Sequence, residues 1–289
     1  METQWSLVIF TLFVCLSSGT IAIASYLSLR GKGEKLLMPA LATSIVALLL
    51  GGIGSFTHLQ HWERIFNGFG HITSGITQEL IGIVVMGVVF VAWIVVLRRG
   101  KGMPKALAGI TIAASVLMVV ATAHSYLMPA RPAWGIALVA FYLANAFVLG
   151  AVAVWIVGIV VHDDDAEKTG LSFTVAGSVV QLAADAIYIA ACSMAKFADF
   201  GHYADPTAIT TAPTHIQSLM DVMVAGPAAG MFWGSLACAA ALIAIALIAK
   251  KANGSPLAFA SIAGVVVLAG SVLFRVLIYM LGYSFVLLY

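Results

Sequence analysis

The chain has 289 residues, 62% of them apolar and only 9% charged, with a formal net charge of +2. Soluble domains are about half apolar, so this composition excludes a soluble globule and defines an integral membrane protein. The basic residues are divided among short loops instead of forming a patch, which excludes a nucleic-acid surface.

Apolar runs fall at residues 5–29, 36–57, 72–97, 106–127, 134–161, 171–195, 222–249 and 257–287. Each has about the twenty residues that cross roughly 30 Å of hydrocarbon as a helix. They predict an all-α, polytopic membrane protein with eight transmembrane helices in a single domain, 1–289. No internal repeat interrupts that unit, and the alternation of an outer-membrane barrel is absent. The first run follows METQW, which has an acid and no base, so it reads as a permanent helix and not a cleaved signal peptide.

The linkers after the first, third, fifth and seventh runs hold Arg30, Lys32, Lys35, Arg98, Arg99, Lys101, Lys105, Lys168, Lys250 and Lys251, ten of the fourteen bases. The positive-inside rule then places both termini outside the cytoplasm, in the cytoplasmic (inner) membrane. On that topology six of the seven histidines, all except His162, lie near the outer face. The segment HDDDAEKTG, residues 162–170, reads as a solvated inner turn. The long stretch 197–221, with His202, Pro206, Pro213 and His215, reads as an outer docking or capping loop, or else as a plain connector. Cys15, Cys192 and Cys238 all fall inside apolar runs without a C-x-x-C, so the chain has no iron-sulfur cluster of its own.

Residues 58–79, HLQHWERIFNGFGHITSGITQE, concentrate chemistry at one membrane boundary. Glu79 falls one to two turns inside the third helix, sharing a face with Gly75, Ile76, Gly82 and Ile83. Two glycines beside a carboxylate leave room for a flat ligand. A charged Glu in hydrocarbon costs several kcal/mol, so the group is expected to be neutral, paired with Arg64 or Arg275, or open to a wet cavity. Such a carboxyl suits proton acceptance. His58, His61, Glu63 and His71 match no standard helical zinc spacing, and no metal is expected. A haem held by two of His58, His71 and His124 is a rival reading, as is a transporter with Glu79, Asp185 and Arg275 along its pathway. Deeper in the membrane, Ser178, Gln181, Asp185, Tyr188 and Cys192 form a polar stripe, and Ser271, Arg275 and Tyr279 another. Asp185 and Arg275 are expected to pair as a structural ion pair, with Tyr142 and Asn145 extending the network. Gly51, Gly52 and Gly54 are expected to allow close helix approach.

Four segments carry a family resemblance: H-L at His58 and Leu59, R-x-F-N from Arg64 to Asn67, Ser74 to Leu80 ending Q-E-L, and L-A-G-x-x-x-x-R-x-x-x-Y from Leu268 to Tyr279. The whole chain resembles the membrane anchor subunit of dimethyl sulfoxide reductase (DmsC), within the broader NrfD-like anchors. It departs from the family's H-L-G-x-P, reading H-L-Q-H-W. The resemblance implies a quinol site with His58 and Glu79 as its catalytic pair and Arg64 between them; the Gly75 and Gly82 flank completes the quinol-binding set. It also implies menaquinol as substrate, with haem unlikely. A four-cluster iron-sulfur subunit and a molybdopterin catalytic subunit would dock on the outer face, completing an anaerobic respiratory complex.

Overall fold

The computed structural model describes residues 3–57, 67, 70–100, 102–194, 196–199, 215–252 and 254–282. Among these residues the helices are α1 (Trp5–Leu29), α2 (Leu37–Phe56), α3 (Gly75–Arg98), α4 (Lys105–His124), α5 (Ala137–Val160), α6 (Asp164–Ser193), α7 (Leu219–Val224), α8 (Ala229–Ala249) and α9 (Pro256–Met280). All but the short α7 are long and apolar enough to cross a membrane, giving eight candidate spans. The chain is a helical, multi-pass membrane protein.

The ends of these helices follow from local chemistry. Asp163 caps α6, its Oδ1 accepting a hydrogen bond from the Ala166 amide at 3.0 Å, and Asp164, Asp165 and Glu167 occupy the first turn. Carboxylates there oppose the positive end of the helix dipole. The segment expected as a solvated turn is therefore mostly helix, and α6 begins seven residues before its apolar run. Hydropathy registers the buried part of a helix and not a polar extension. The seventh run is also modified: α7 and α8 are separated at residues 225–228. At the ends of the long stretch after α6, β1 (Lys196–Asp199) pairs antiparallel with β2 (His215–Ser218), Phe197 opposite Gln217, so a two-stranded ladder closes its base. This small ladder is an addition to the expected all-helical chain.

Helices α1 and α5 form the centre. α1 packs on α2, α4 and α5; α5 packs on α1, α6 and α9; α8 pairs with α9 and α6. α1 and α5 cross at Gly19 and Gly150, where a methyl group on either would overlap the backbone of the other helix. Lipid tails are as apolar as leucine, so such close backbone approach, with its dispersion contacts, replaces the hydrophobic effect as the source of association. Gly51 and Gly54 likewise bring α2 against Phe10 and Ile9 of α1, whereas Gly52 faces open space. α3 rests chiefly on α4 and meets α2 only sparsely.

Side-chain bonds tie the linkers together at each end. At the basic end, Lys32 Nζ lies 2.8 Å from Asp165 Oδ1, and Lys35 Nζ donates to the His162 carbonyl at 3.1 Å. At the opposite end, Trp134 Nε1 donates to the Ile278 carbonyl at 2.9 Å, latching the α4–α5 linker to the last turn of α9.

Candidate functional site at the head of helix 3

Ser74, in extended conformation, precedes α3 and places Glu79 about 6 Å along the helix from its first residue. Glu79 is partly buried and hydrogen-bonded to the Ser125 hydroxyl at the end of α4. That hydroxyl also reaches the Ala121 carbonyl at 3.3 Å. A single hydroxyl proton serves either protonation state of the carboxyl. An ionised Glu79 accepts a hydrogen bond from the Ser125 hydroxyl; a protonated one donates to Oγ while Ser125 donates to the Ala121 carbonyl.

The glycines on this face do not leave an open flank. A Cβ at Gly75 would sit 2.8 Å from the Ser125 Cα, and one at Gly82 would sit 2.5 Å from the Met118 sulfur. Both glycines are closed by α4, so the expectation that they make space for a flat ring is corrected. Spacing along the helix was right in putting them beside Glu79, but the space beside them belongs to the neighbouring helix.

Open volume lies on the adjoining face of α3. A groove of about 500 Å³ runs between α2 and α3, with Leu80, Ile83, Gly87 and Phe90 on one wall and Leu48, Leu49, Gly52 and Phe56 on the other. Its volume falls in the range of small-molecule sites. Ser55 apart, the lining is apolar, and Ile83 follows Glu79 by one helical turn. The groove runs along the helix for about 20 Å, from Leu80 to Ile94. Glu79 itself does not line it; its carboxyl turns to Ser125 on the α4 side.

Beside Ser125, Tyr126 opens an aromatic cluster. Its hydroxyl is 3.0 Å from that of Tyr279, its ring stacks on Tyr142 at 5.8 Å, and Trp134 packs edge-on at 5.4 Å. Burial holds the Tyr126 phenol well above its ordinary range, so it stays protonated. Arg131 lies over Trp134 at 4.4 Å. Glu79 is within electrostatic reach of both Tyr126 and Tyr279.

One turn deeper on α9, Arg275 is 1% exposed. Its Nε donates to Thr11 Oγ1 at 2.9 Å and its Nη2 to the Thr11 carbonyl at 3.2 Å. Nη1 donates to Asn145 Oδ1 at 2.9 Å and to the Ser271 carbonyl at 3.0 Å. The guanidinium also lies 5.3 Å from the Tyr142 ring centroid. Asn145 Nδ2 in turn donates to Ser271 Oγ at 2.8 Å and to Gln181 Oε1 at 3.4 Å, and Gln181 Nε2 donates to Asp185 Oδ1 at 2.8 Å. The expected direct ion pair between Asp185 and Arg275 is thus replaced by a relay of two amides. A cavity of about 20 Å³, room for about one water, lies against Asn145, Gln181, Asp185 and Ser235.

His58 and Arg64, with His61 and Glu63, lie outside the described residues. His71 and His124 are exposed. Among the described residues, no three His, Cys, Asp or Glu side chains gather closely enough to hold a metal ion. Ser125 and Tyr126 carry only a weak sequence signal, an aromatic residue at a span boundary, where tyrosines collect. Thr11 is silent, because a threonine in an apolar run carries no mark of its partner. The chain matches no protein-family model and no curated protein.

Proposed function

We propose that the chain is the quinol-oxidising anchor subunit of a molybdopterin/iron-sulfur oxidoreductase complex, of the type that dimethyl sulfoxide reductase exemplifies. The observation that supports this reading is a carboxyl and a long apolar groove on adjoining faces of α3: Glu79, hydrogen-bonded to Ser125, and the slot that runs from Leu80 to Ile94. A quinol has this shape, a small polar ring on an extended hydrocarbon tail. In this reading the tail lies along Ile83, Gly87 and Phe90, and the ring reaches the level of Glu79.

Oxidation of menaquinol to the quinone releases two electrons and two protons. Glu79 takes one proton, with Ser125 reorienting its hydroxyl to follow the change. His58 binds the other quinol oxygen and takes the second proton, and Arg64 is the basic residue between the two in the sequence, the positions that the family resemblance assigns. The electrons pass to an iron-sulfur partner docked on the outer face, and from there to a molybdopterin subunit. The basic linkers face the cytoplasm and both termini face outward, in the cytoplasmic membrane.

The test compares two donors on the same membranes. Glu79→Gln keeps the shape of the side chain but removes its capacity to take up a proton, so quinol-dependent reduction falls by about a hundredfold or more. Reduction by an artificial dye that feeds the partner subunits directly is retained. Equal loss with both donors means that the substitution detached the partners, and the assignment fails.

A further inference from the structure

The basic end of the bundle holds a second pocket, unrelated to the quinol reading. It has a volume of about 300 Å³ and lies between the last turn of α1 and the second and third turns of α6. Its wall is built by the short α1–α2 linker, which doubles back because Gly31 and Gly33 adopt φ of 67° and 72°. Lys32 and Lys35 then fasten that linker to the start of α6 and the preceding loop.

Three cations and one carboxylate line this pocket: Arg30, Lys32, Lys168 and Asp165. Lys32 and Asp165 neutralise each other at 2.8 Å. Arg30 lines the pocket and donates one Nη1 bond to the Tyr26 hydroxyl at 3.1 Å, its one side-chain hydrogen bond among the described residues. Among the described residues Lys168 has no partner. Thr169 and Ser172 add hydroxyls to the lining. The floor is aromatic, with Tyr26 and Phe173 at 5.4 Å. The pocket therefore presents two uncompensated positive charges and hydroxyls at its mouth, above a greasy base between two membrane-spanning helices.

We propose that this pocket binds the phosphate of an anionic phospholipid, with Arg30 and Lys168 on the phosphate oxygens and an acyl chain passing Tyr26 and Phe173 toward the bilayer. A guanidinium and an ammonium lining one pocket at the basic end of the bundle suit a phosphate anion, and the aromatic floor suits the chain that carries it. A free phosphate shares the headgroup chemistry but makes no use of that floor.

The experiment uses the full-length protein, delipidated in detergent, with thermal unfolding and native mass spectrometry as readouts. Phosphatidylglycerol is expected to raise the unfolding temperature and remain as a bound adduct; phosphatidylcholine and inorganic phosphate do neither. Arg30→Ala with Lys168→Ala weakens phosphatidylglycerol binding by roughly thirtyfold, as two basic contacts near a lipid surface imply. Removing two cations elsewhere at the same end, Lys250→Ala with Lys251→Ala, leaves binding within about twofold. The exchange Arg30→Lys with Lys168→Arg retains most of it. Stabilisation that persists in the Arg30/Lys168 double variant, that is lost equally in the Lys250/Lys251 control, or that phosphatidylcholine or inorganic phosphate reproduces, overturns the proposal.

Discussion

Arg275 and Asp185 do not touch; Asn145 and Gln181 stand between them, each amide accepting on the side of the cation and donating on the side of the anion. The two dipoles therefore point the same way, and each bond polarises the next. The relay spreads one ionic interaction across α9, α5 and α6, while Thr11 brings in α1.

This arrangement makes the two charged ends unequal. Arg275→Gln strips donors from Thr11, Asn145 and the Ser271 carbonyl together, and about 3–5 kcal/mol of stability is expected to be lost. Asp185→Asn keeps an oxygen for Gln181 Nε2, so its cost is expected to stay within about 1–1.5 kcal/mol. Denaturation in detergent of the two variants side by side measures the difference. Equal losses would mean that the relay transmits no such asymmetry.

Ser125→Ala tests the hydroxyl that serves both protonation states of Glu79. Loss of that one hydrogen bond is worth about 1–2 kcal/mol, so quinol-dependent turnover is expected to fall about five- to thirtyfold with dye-dependent turnover unchanged. Steady-state rates with the two donors decide it.

The groove is open to a direct filling experiment. A Cβ at Gly87 meets nothing within 4 Å, so Gly87→Leu inserts a side chain without displacing another. Excluding even a few methylenes of a bound tail, at about 0.8 kcal/mol each, raises the KM for quinol by about tenfold or more. The unfolding temperature stays near that of the parent. Gly75→Ala is the contrasting case: it forces α3 off the Ser125 backbone and costs about 1–3 kcal/mol of stability.

The orientation proposed for the bundle is read by reporter fusions after Arg99 and after Tyr203. A cytoplasmic reporter is expected to be active at the first position and silent at the second. The reverse pattern turns the bundle over and takes the quinol site with it.

Spans were legible because hydropathy measures burial along the chain, and α1 was found at Trp5–Leu29, the bounds of its apolar run. Depth along a helix was equally legible for Glu79. Direction around the helix was not: Gly75 and Gly82 were rightly put on the face of Glu79, yet which neighbour covers that face depends on the α3–α4 contact. The relay was only half visible for the same reason. Asn145, Asp185 and Arg275 stood out as polar residues in hydrocarbon, but Thr11, 264 positions from Arg275, could be joined to it only by the packing of the first helix near the last. The polar start of α6 was missed because its helix is held by a cap and a dipole, which hydropathy ignores.

The crossing of Gly19 with Gly150 also sets an order on biogenesis. α1 is made before the other eight described helices and carries Thr11, Ser17, Ser18, Thr20 and Ser25, all buried in the finished bundle. Its central partner is translated only after α2, α3 and α4 have been made. At about 5–20 residues per second, the first helix waits roughly 5 to 25 seconds for the fifth. Ser17 already has a bond to offer the Ser44 carbonyl of α2 at 2.8 Å, so an α1–α2 hairpin shelters part of that polar face in the interval. The α1–α5 crossing thus closes only once α5 has been made, and a nascent chain halted before α5 exposes to lipid polar side chains that the mature bundle buries.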